Sequence, residues 1–485
     1  MLFNSLTFIL FLAIVVVVYW LLPIRARLYI ILASSLLFYG FWRFDFIPLL
    51  LFSAMADYLL ALALDRRSGS SRRALLVVSI CINLGVLAVF KYLLFFADSA
   101  GSIASLIGYE FSSLDLNIIL PLGISFYIFQ TMSYTIDVYR GSYPVERDLL
   151  RYLCFVTFFP QLVAGPILRA GDLIPQFSEP RRCNLQFLSD GIRRILMGLF
   201  LKVVLADQIA GIVDTGYSRD PGGLTGFDVW TLAFLFGFQI YFDFAGYSHI
   251  AIGAASLLGI RLPENFNYPY TATSPREFWQ RWHISLSTWI RDYVYLPILR
   301  GSRTSSAGGW DVAENQNGTG RSARTFSLYG TWALMGLWHG AAWTFVVWGL
   351  YHAVLVHAYR LISAVLPNSS ARLVGVLGWA VTTALVMAAW IPFRAQGGAH
   401  AMAMWVKLVD PRAYGGLTLA PDSYLVAALM LGAVLLARPI RYGLVTRLGH
   451  HPVVATVVYT GFYTVVIAGC LLFLRQTHQF VYFQF

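Results

Sequence analysis

Charge is what this sequence has least of. Only 12% of its 485 residues are Asp, Glu, Lys or Arg, against 58% hydrophobic, and the mean hydropathy is +0.65. Soluble domains carry about 25% charged residues, so a soluble enzyme or nucleic-acid-binding domain is excluded and the chain reads as an all-α polytopic membrane protein. Cysteine is scarce as well. Cys81, Cys154, Cys183 and Cys470 show no paired spacing, so neither a disulfide framework nor a thiolate metal site is expected. No GxGxxG, Walker or HExxH pattern occurs, and no set of His, Asp or Glu stands at metal-ligand spacing, so no bound metal or cofactor is expected. No internal repeat is evident, and a single membrane domain over residues 1–485 is expected.

What the sequence does have is apolar runs of spanning length. They cover residues 3–22, 28–42, 46–64, 74–96, 117–139, 195–213, 229–258, 326–366, 373–393, 423–438 and 453–474. A bilayer core takes about 20 apolar residues per helix, so the run 326–366 predicts two crossings and the whole chain about 12. The net charge of +11 is accounted for by loops retained in the cytoplasm. Arg25, Arg27, Arg66, Arg67, Arg72, Arg73, Arg181, Arg182, Arg193 and Arg194 mark that side, and the Lys- and Arg-free residues 97–116 mark the other. This alternation places both termini outside. Residues 150–168, flanked by arginines at both ends, predict a re-entrant hairpin, whose irregular backbone must be enclosed by protein. Residues 1–22 lack a charged leader and a small-residue cleavage site and read as a retained helix. The Gly-, Ser- and Asn-rich residues 301–325 predict a mobile cytoplasmic loop.

Two histidines stand out. His339 sits in LMGLWHGAAW, apolar and rich in tryptophan, and His283 in FWQRWHISLSTWIRDY. An imidazole in an apolar setting is favoured neutral, the state a general base needs. The alternative for His339 is a core histidine bonded to a helix carbonyl; for His283 it is an interfacial residue in an aromatic belt. At helical spacing His283 shares a face with Trp279, Leu286 and Ile290, and the polar groups around it, from Arg276 to Asp292, imply a watery or ligand-filled path. His352, 13 residues after His339, falls on the opposite helix face at 100° per residue and reads as structural or as part of a different wall. His249 and Asp243 are spaced for separate packing roles. A proton-coupled transporter, with the histidines as relays, is the main non-enzyme alternative, and a scaffold gives no reason for the two histidines. Residues 399–408 predict an interfacial helix.

Several long motifs occur in order: PLGISFYIFQTMSYTIDVYRG at 121–141, FFPQLVAGPILR at 158–169, YFDFAGYSHIAIGAASLLGI at 241–260, ENFNYPYTATSPREFWQRWHISLSTWIRDYVYLPI at 264–298, LMGLWHGAAWTFVVWGLYH at 334–352 and the terminal FVYFQF. In these the sequence resembles the membrane-bound O-acyltransferase (MBOAT) family, in particular its bacterial alginate O-acetylase branch. The resemblance covers nearly the whole chain and implies about 12 transmembrane helices with re-entrant and amphipathic helices around a central tunnel. It implies that His339, in the WHG motif, is catalytic and that His283, in the RWHISLS motif, is its partner. Two positions depart from the family pattern. His249 stands where an acidic residue is common, and the turn after RWHISLS reads Leu299-Arg300-Gly301-Ser302-Arg303.

What the resemblance further implies is transfer of an acyl group, chiefly acetyl, from a cytoplasmic thioester such as acetyl-coenzyme A to an external hydroxyl. Arg281, Arg300 and Arg303 would meet the donor's phosphates, since Arg binds phosphate in fork geometry, and Trp282 and Trp338 would line the donor site. The acceptor would be an exopolysaccharide, or a periplasmic SGNH-hydrolase-like acetyltransferase partner that relays the group. The location implied is the bacterial inner membrane. D-alanyl transfer to teichoic acid is the alternative within the same family.

Overall fold

Backbone amides have no water to bond in hydrocarbon, and a helix satisfies them along its own length. The computed structural model describes residues 1–109, 116–179, 182–300, 321–365, 372–448, 451–474 and 480, and among these only helices and irregular connections occur. Among the described residues, seven helical stretches are long and apolar enough to cross a membrane: Ile24–Asp65, Gly69–Leu106, Leu185–Tyr217, Gly226–Leu257, Trp343–Ala364, Val374–Arg394 and Val453–Phe473. Leu6–Leu21 and Pro421–Leu436 are shorter apolar helices. Every apolar run of the sequence falls on a helix, as a polytopic all-α membrane fold requires. The chain folds as two compact units, the first from residues 1–195 and 248–263, the second from 196–247, 264–300 and the described residues after 320.

The first unit contains α1 (Leu6–Leu21), α2 (Ile24–Arg43), α3 (Ile47–Asp65), α4 (Gly69–Leu87), α5 (Leu93–Leu106), α6 (Ile124–Arg140), α7 (Leu149–Thr157) and α8 (Ala170–Ser178). Ser5 caps α1 by accepting the Phe8 amide at 3.2 Å. Helix α6 starts seven residues later than the apolar run at 117 suggests, because Pro121 and the left-handed Gly123 (φ 72) lie in that stretch. A Cβ on Gly123 would also stand 2.6 Å from the Leu162 carbonyl oxygen. Between α7 and α8, residues 158–168 are irregular and wholly buried. Their polar groups are met by protein: the Phe159 amide donates to Ser35 Oγ at 3.0 Å, and Gln161 Nε2 donates to Gln130 Oε1 at 2.8 Å. Irregular backbone in this expected hairpin is therefore enclosed, as its burial demands.

Helices α9 (Leu185–Leu199) and α10 (Asp207–Tyr217) are joined by a π-helical turn, Phe200–Ala206, and α11 follows at Gly226–Leu257. In the second unit Lys202, on that turn, is buried between Asp207 and Asp243 at 2.7 Å from each, with the Phe480 ring 4.5 Å away. Such a buried group survives only when paired. Asp243 thus belongs to this cluster, while in the first unit His249 Nδ1 accepts from Arg194 at 3.2 Å, the separate roles that their spacing predicts. The remaining helices are α12 (Pro275–Arg281), α13 (Ile284–Ile290), α14 (Leu296–Arg300), α15 (Arg321–His339), α16 (Trp343–Val365), α17 (Arg372–Arg394), α18 (Gly398–Val409), α19 (Pro421–Leu448) and α20 (Pro452–Phe473).

The run 326–366 divides as expected into two helices, α15 and α16. They approach at backbone distance because two glycines permit it: a Cβ on Gly336 would overlap the Phe345 carbonyl oxygen, and one on Gly349 the Trp332 carbonyl oxygen. The expected loop 301–325 requires correction at its end, since Arg321 already opens α15; residues 301–320 lie outside the described part. The expected helix at 399–408 is α18.

Candidate active site

His339 is the last residue of α15, buried against three rings of the second unit: Trp338 at 4.9 Å, Trp348 at 4.8 Å and Phe393 at 5.4 Å. The α15–α16 turn places it there. Trp348 comes from α16 and Phe393 from α17, so His339 sits where three helices converge.

His283 lies not on a helix face, as its spacing suggested, but between helices. Ser274 caps α12, accepting the Glu277 amide at 3.1 Å, with Pro275 at the first helical position. The helix ends at Arg281, and His283 adopts a left-handed conformation, φ 42 and ψ 56, before α13 begins. For a residue with a Cβ this costs on the order of 1–3 kcal/mol and needs surroundings that enforce it. They are present: the Asn267 amide donates to the Arg281 carbonyl and the Ile284 amide to the Asn265 carbonyl, each at 2.9 Å. The break aims the imidazole inward, fully buried, with Phe244 at 4.6 Å edge to face and Trp338 at 6.2 Å. The same indole therefore borders both histidines.

Asn265 fixes the His283 ring. Its Oδ1 accepts the Ser285 amide at 3.3 Å and the Ser285 hydroxyl at 2.9 Å, so it is the carbonyl end of the side chain, and His283 Nδ1, 3.0 Å away, must be the donor to it. Burial pushes the ring down from its ordinary 6.5 to about 3, so it is neutral with its proton on Nδ1, and Nε2 offers a lone pair. Asn265 was missed in the sequence, where it stands 18 residues before His283 with nothing in its spacing to mark it.

The other expected site residues divide. Trp282 is buried among Phe266 at 5.1 Å, Phe278 at 5.6 Å, Tyr241 at 6.1 Å and Trp390 at 5.0 Å, on the same aromatic cluster as the histidines. Arg281 is engaged by Glu277 at 2.5 Å, Thr271 Oγ1 at 3.1 Å and the Asn267 carbonyl at 3.5 Å. Arg300 closes α14, and Arg303 lies outside the described residues. His352 needs correction. Because α15 stops at His339 and α16 starts afresh at Trp343, counting 100° steps across the turn has no meaning; His352 in fact meets Trp348 at 5.0 Å, the ring that also borders His339.

Comparison with known proteins gives the family. The model of the membrane-bound O-acyltransferase family matches residues 144–311. The probable alginate O-acetylase AlgI of Azotobacter vinelandii is 38% identical over 448 residues, 90% of this chain and 84% of that protein. This chain belongs to the membrane-bound O-acyltransferase family. The peptidoglycan O-acetyltransferase of Helicobacter pylori is 32% identical over 77% of this chain and 72% of its own. The teichoic acid D-alanyltransferase of Bacillus subtilis is 31% identical over 50% of this chain and 60% of its own. The chain is thus a multi-pass membrane O-acyltransferase, and two buried, ring-packed histidines lie in one unit of it.

Proposed function

We propose that this acyltransferase moves an acetyl group from a cytoplasmic thioester, acetyl-coenzyme A or a close relative, to a hydroxyl on the outer face of a bacterial inner membrane, with both chain termini on the periplasmic side. The two units act together as one membrane domain in this reading. The acceptor is an exopolysaccharide, or a periplasmic SGNH-hydrolase-like partner that passes the group on to one. The polysaccharide acceptors named for the alginate and peptidoglycan relatives support that class of acceptor.

A protonated hydroxyl is a poor nucleophile, and the reading gives His339 the task of accepting its proton as it attacks the thioester carbonyl. His283 can orient His339 or polarise the carbonyl. Its Nδ1–H tautomer favours the first role, because Nε2 can accept from an N–H and has no proton to give an oxygen. Enclosure by aromatic rings limits competing water. For the donor, Arg281, Arg300 and Arg303 are the phosphate-meeting arginines, of which Arg281 would have to share itself with Glu277, and Trp282 and Trp338 line the way. The observation that carries the reading is that one buried indole, Trp338, borders both imidazoles.

The test is acyl transfer from labelled acetyl-coenzyme A in proteoliposomes. His339→Ala is expected to lose about 10²- to 10⁴-fold, the usual worth of a positioned base, while remaining inserted and folded; transfer at the wild-type rate would remove His339 from the chemistry. D-alanyl transfer, which the Bacillus relative brings in, predicts instead that an aminoacyl carrier-protein thioester is the better donor.

A further inference from the structure

The ring cluster centred on Trp348, next to His339, is short of hydrogen-bond acceptors. The indole N–H groups of Trp348 and Trp390 are fully buried and meet no hydrogen-bond partner among the described residues, and the same holds for His352 Nε2. His352 Nδ1 accepts the indole N–H of Trp279 at 3.3 Å, so a neutral His352 carries its proton on Nε2, the reverse of His283. All three orphans are therefore donors. They belong to one cluster: the Trp348 ring is 5.0 Å from His352, 6.0 Å from Trp390 and 4.8 Å from His339. Buried polar groups in native proteins are almost always paired, and three donors left over in one cluster, whose central Trp348 ring borders the His339 imidazole, call for a ligand that only accepts.

We propose that Trp348, Trp390 and His352 donate to the carbonyl oxygen of the acyl thioester and stabilise the oxyanion it becomes, a role that rests on the acyl-transfer reading above. As the acceptor hydroxyl oxygen bonds to the acyl carbon, its proton passes to His339 and the carbonyl π pair moves onto oxygen, where the three N–H groups hold it. That pair then re-forms the carbonyl as the carbon–sulfur bond breaks. The thiolate leaves and takes the proton from His339, regenerating the neutral base. Donors fixed in a dry cluster need no reorganisation at that moment, which is where such groups are worth most.

The test replaces Trp348 and Trp390 singly by 3-benzothienylalanine, which keeps the ring shape and lacks the N–H. It also compares His352→Gln, which keeps a donor near the Nε2 position, with His352→Leu, which has none. Two readouts are taken in proteoliposomes: kcat and KM for acetyl-coenzyme A, and the infrared carbonyl band of bound [1-13C]acetyl-coenzyme A. Each donor deletion is expected to lower kcat by about 10²- to 10³-fold with KM little changed, to move the carbonyl band back towards its free position, and to be partly rescued in His352→Gln. Wild-type kcat and an unmoved band in the three deletion variants, beside a wild type that transfers, overturn the proposal alone and leave the donors to ordered water. A wild type that neither binds nor transfers the acetyl group overturns the functional reading, and the proposal with it.

Discussion

Asp57 in the first unit and His352 in the second are both fully buried polar residues on spanning helices, and they are treated in opposite ways. Asp57 is saturated: Oδ1 accepts from the Ser79 hydroxyl at 2.5 Å and Oδ2 from the Asn83 amide at 2.7 Å, while Asn83 Oδ1 accepts from Thr131 at 3.2 Å and Ser53 at 3.3 Å. The network closes on itself across α3, α4 and α6. Around His352 the donors are left open, each at a cost of about 1–3 kcal/mol if nothing meets it. A closed network specifies packing; an open one is tolerated where a ligand completes it. On the proposed function, the Asp57 cluster is scaffold and the histidine cluster carries the chemistry.

Breaking the closed network should have the largest effect on folding. Asp57→Ala strands the Ser79 hydroxyl and one of the two Asn83 amide N–H groups, the nitrogen still meeting the Ser79 carbonyl at 2.9 Å, at about 1–3 kcal/mol for each stranded donor, so thermal stability and yield in detergent should fall steeply while kcat per folded molecule is kept. A loss of kcat with stability intact would move Asp57 into the site and erase the contrast. In the open cluster, Asn265→Ala frees the His283 ring from its tautomer. Transfer should fall on the order of 10²-fold, the cost of a misplaced catalytic group, and the thermal midpoint should fall as well, because the Ser285 amide and hydroxyl lose their acceptor with it.

The pH dependence sharpens the same contrast. His283 is neutral when folded, its pKa held at about 3 by burial against an ordinary 6.5, so between those values the unfolded chain binds the additional proton. Its contribution to stability is complete above about pH 6.5 and is lost progressively as pH falls towards 3. Chemical denaturation between pH 7 and 4 should show a steeper decline for wild type than for His283→Gln; parallel curves would mean that the ring is not held neutral. The smallest effect is expected at the half-buried Glu277–Arg281 pair. Glu277→Gln should change stability by less than about 1 kcal/mol, and if Arg281 meets the donor's phosphates its release should lower KM for acetyl-coenzyme A. An unchanged KM would separate Arg281 from the donor.

The helices were legible because apolar length alone dictates them: all eleven runs became helices, and the longest divided at Gly340. His339 was legible for the same reason, a polar residue stranded in an apolar stretch. The setting of His283 was not, because the sequence around it has no glycine or proline to announce a break; backbone bonds from Ile284 to Asn265 and from Asn267 to Arg281 impose one. Asn265 and the orphan N–H groups of Trp348 and Trp390 escaped for a related reason. Whether a buried polar atom is satisfied depends on neighbours far along the chain, and tryptophan in an apolar run reads as packing until those neighbours are known.

Transfer and thermal stability measured on the same proteoliposome samples of wild type, His339→Ala and Asp57→Ala test the account most directly. It predicts a crossed result: His339→Ala loses about 10²- to 10⁴-fold in acetyl transfer at an unchanged thermal midpoint, and Asp57→Ala loses stability at an unchanged kcat. Acetyl transfer by His339→Ala at the wild-type rate would contradict it.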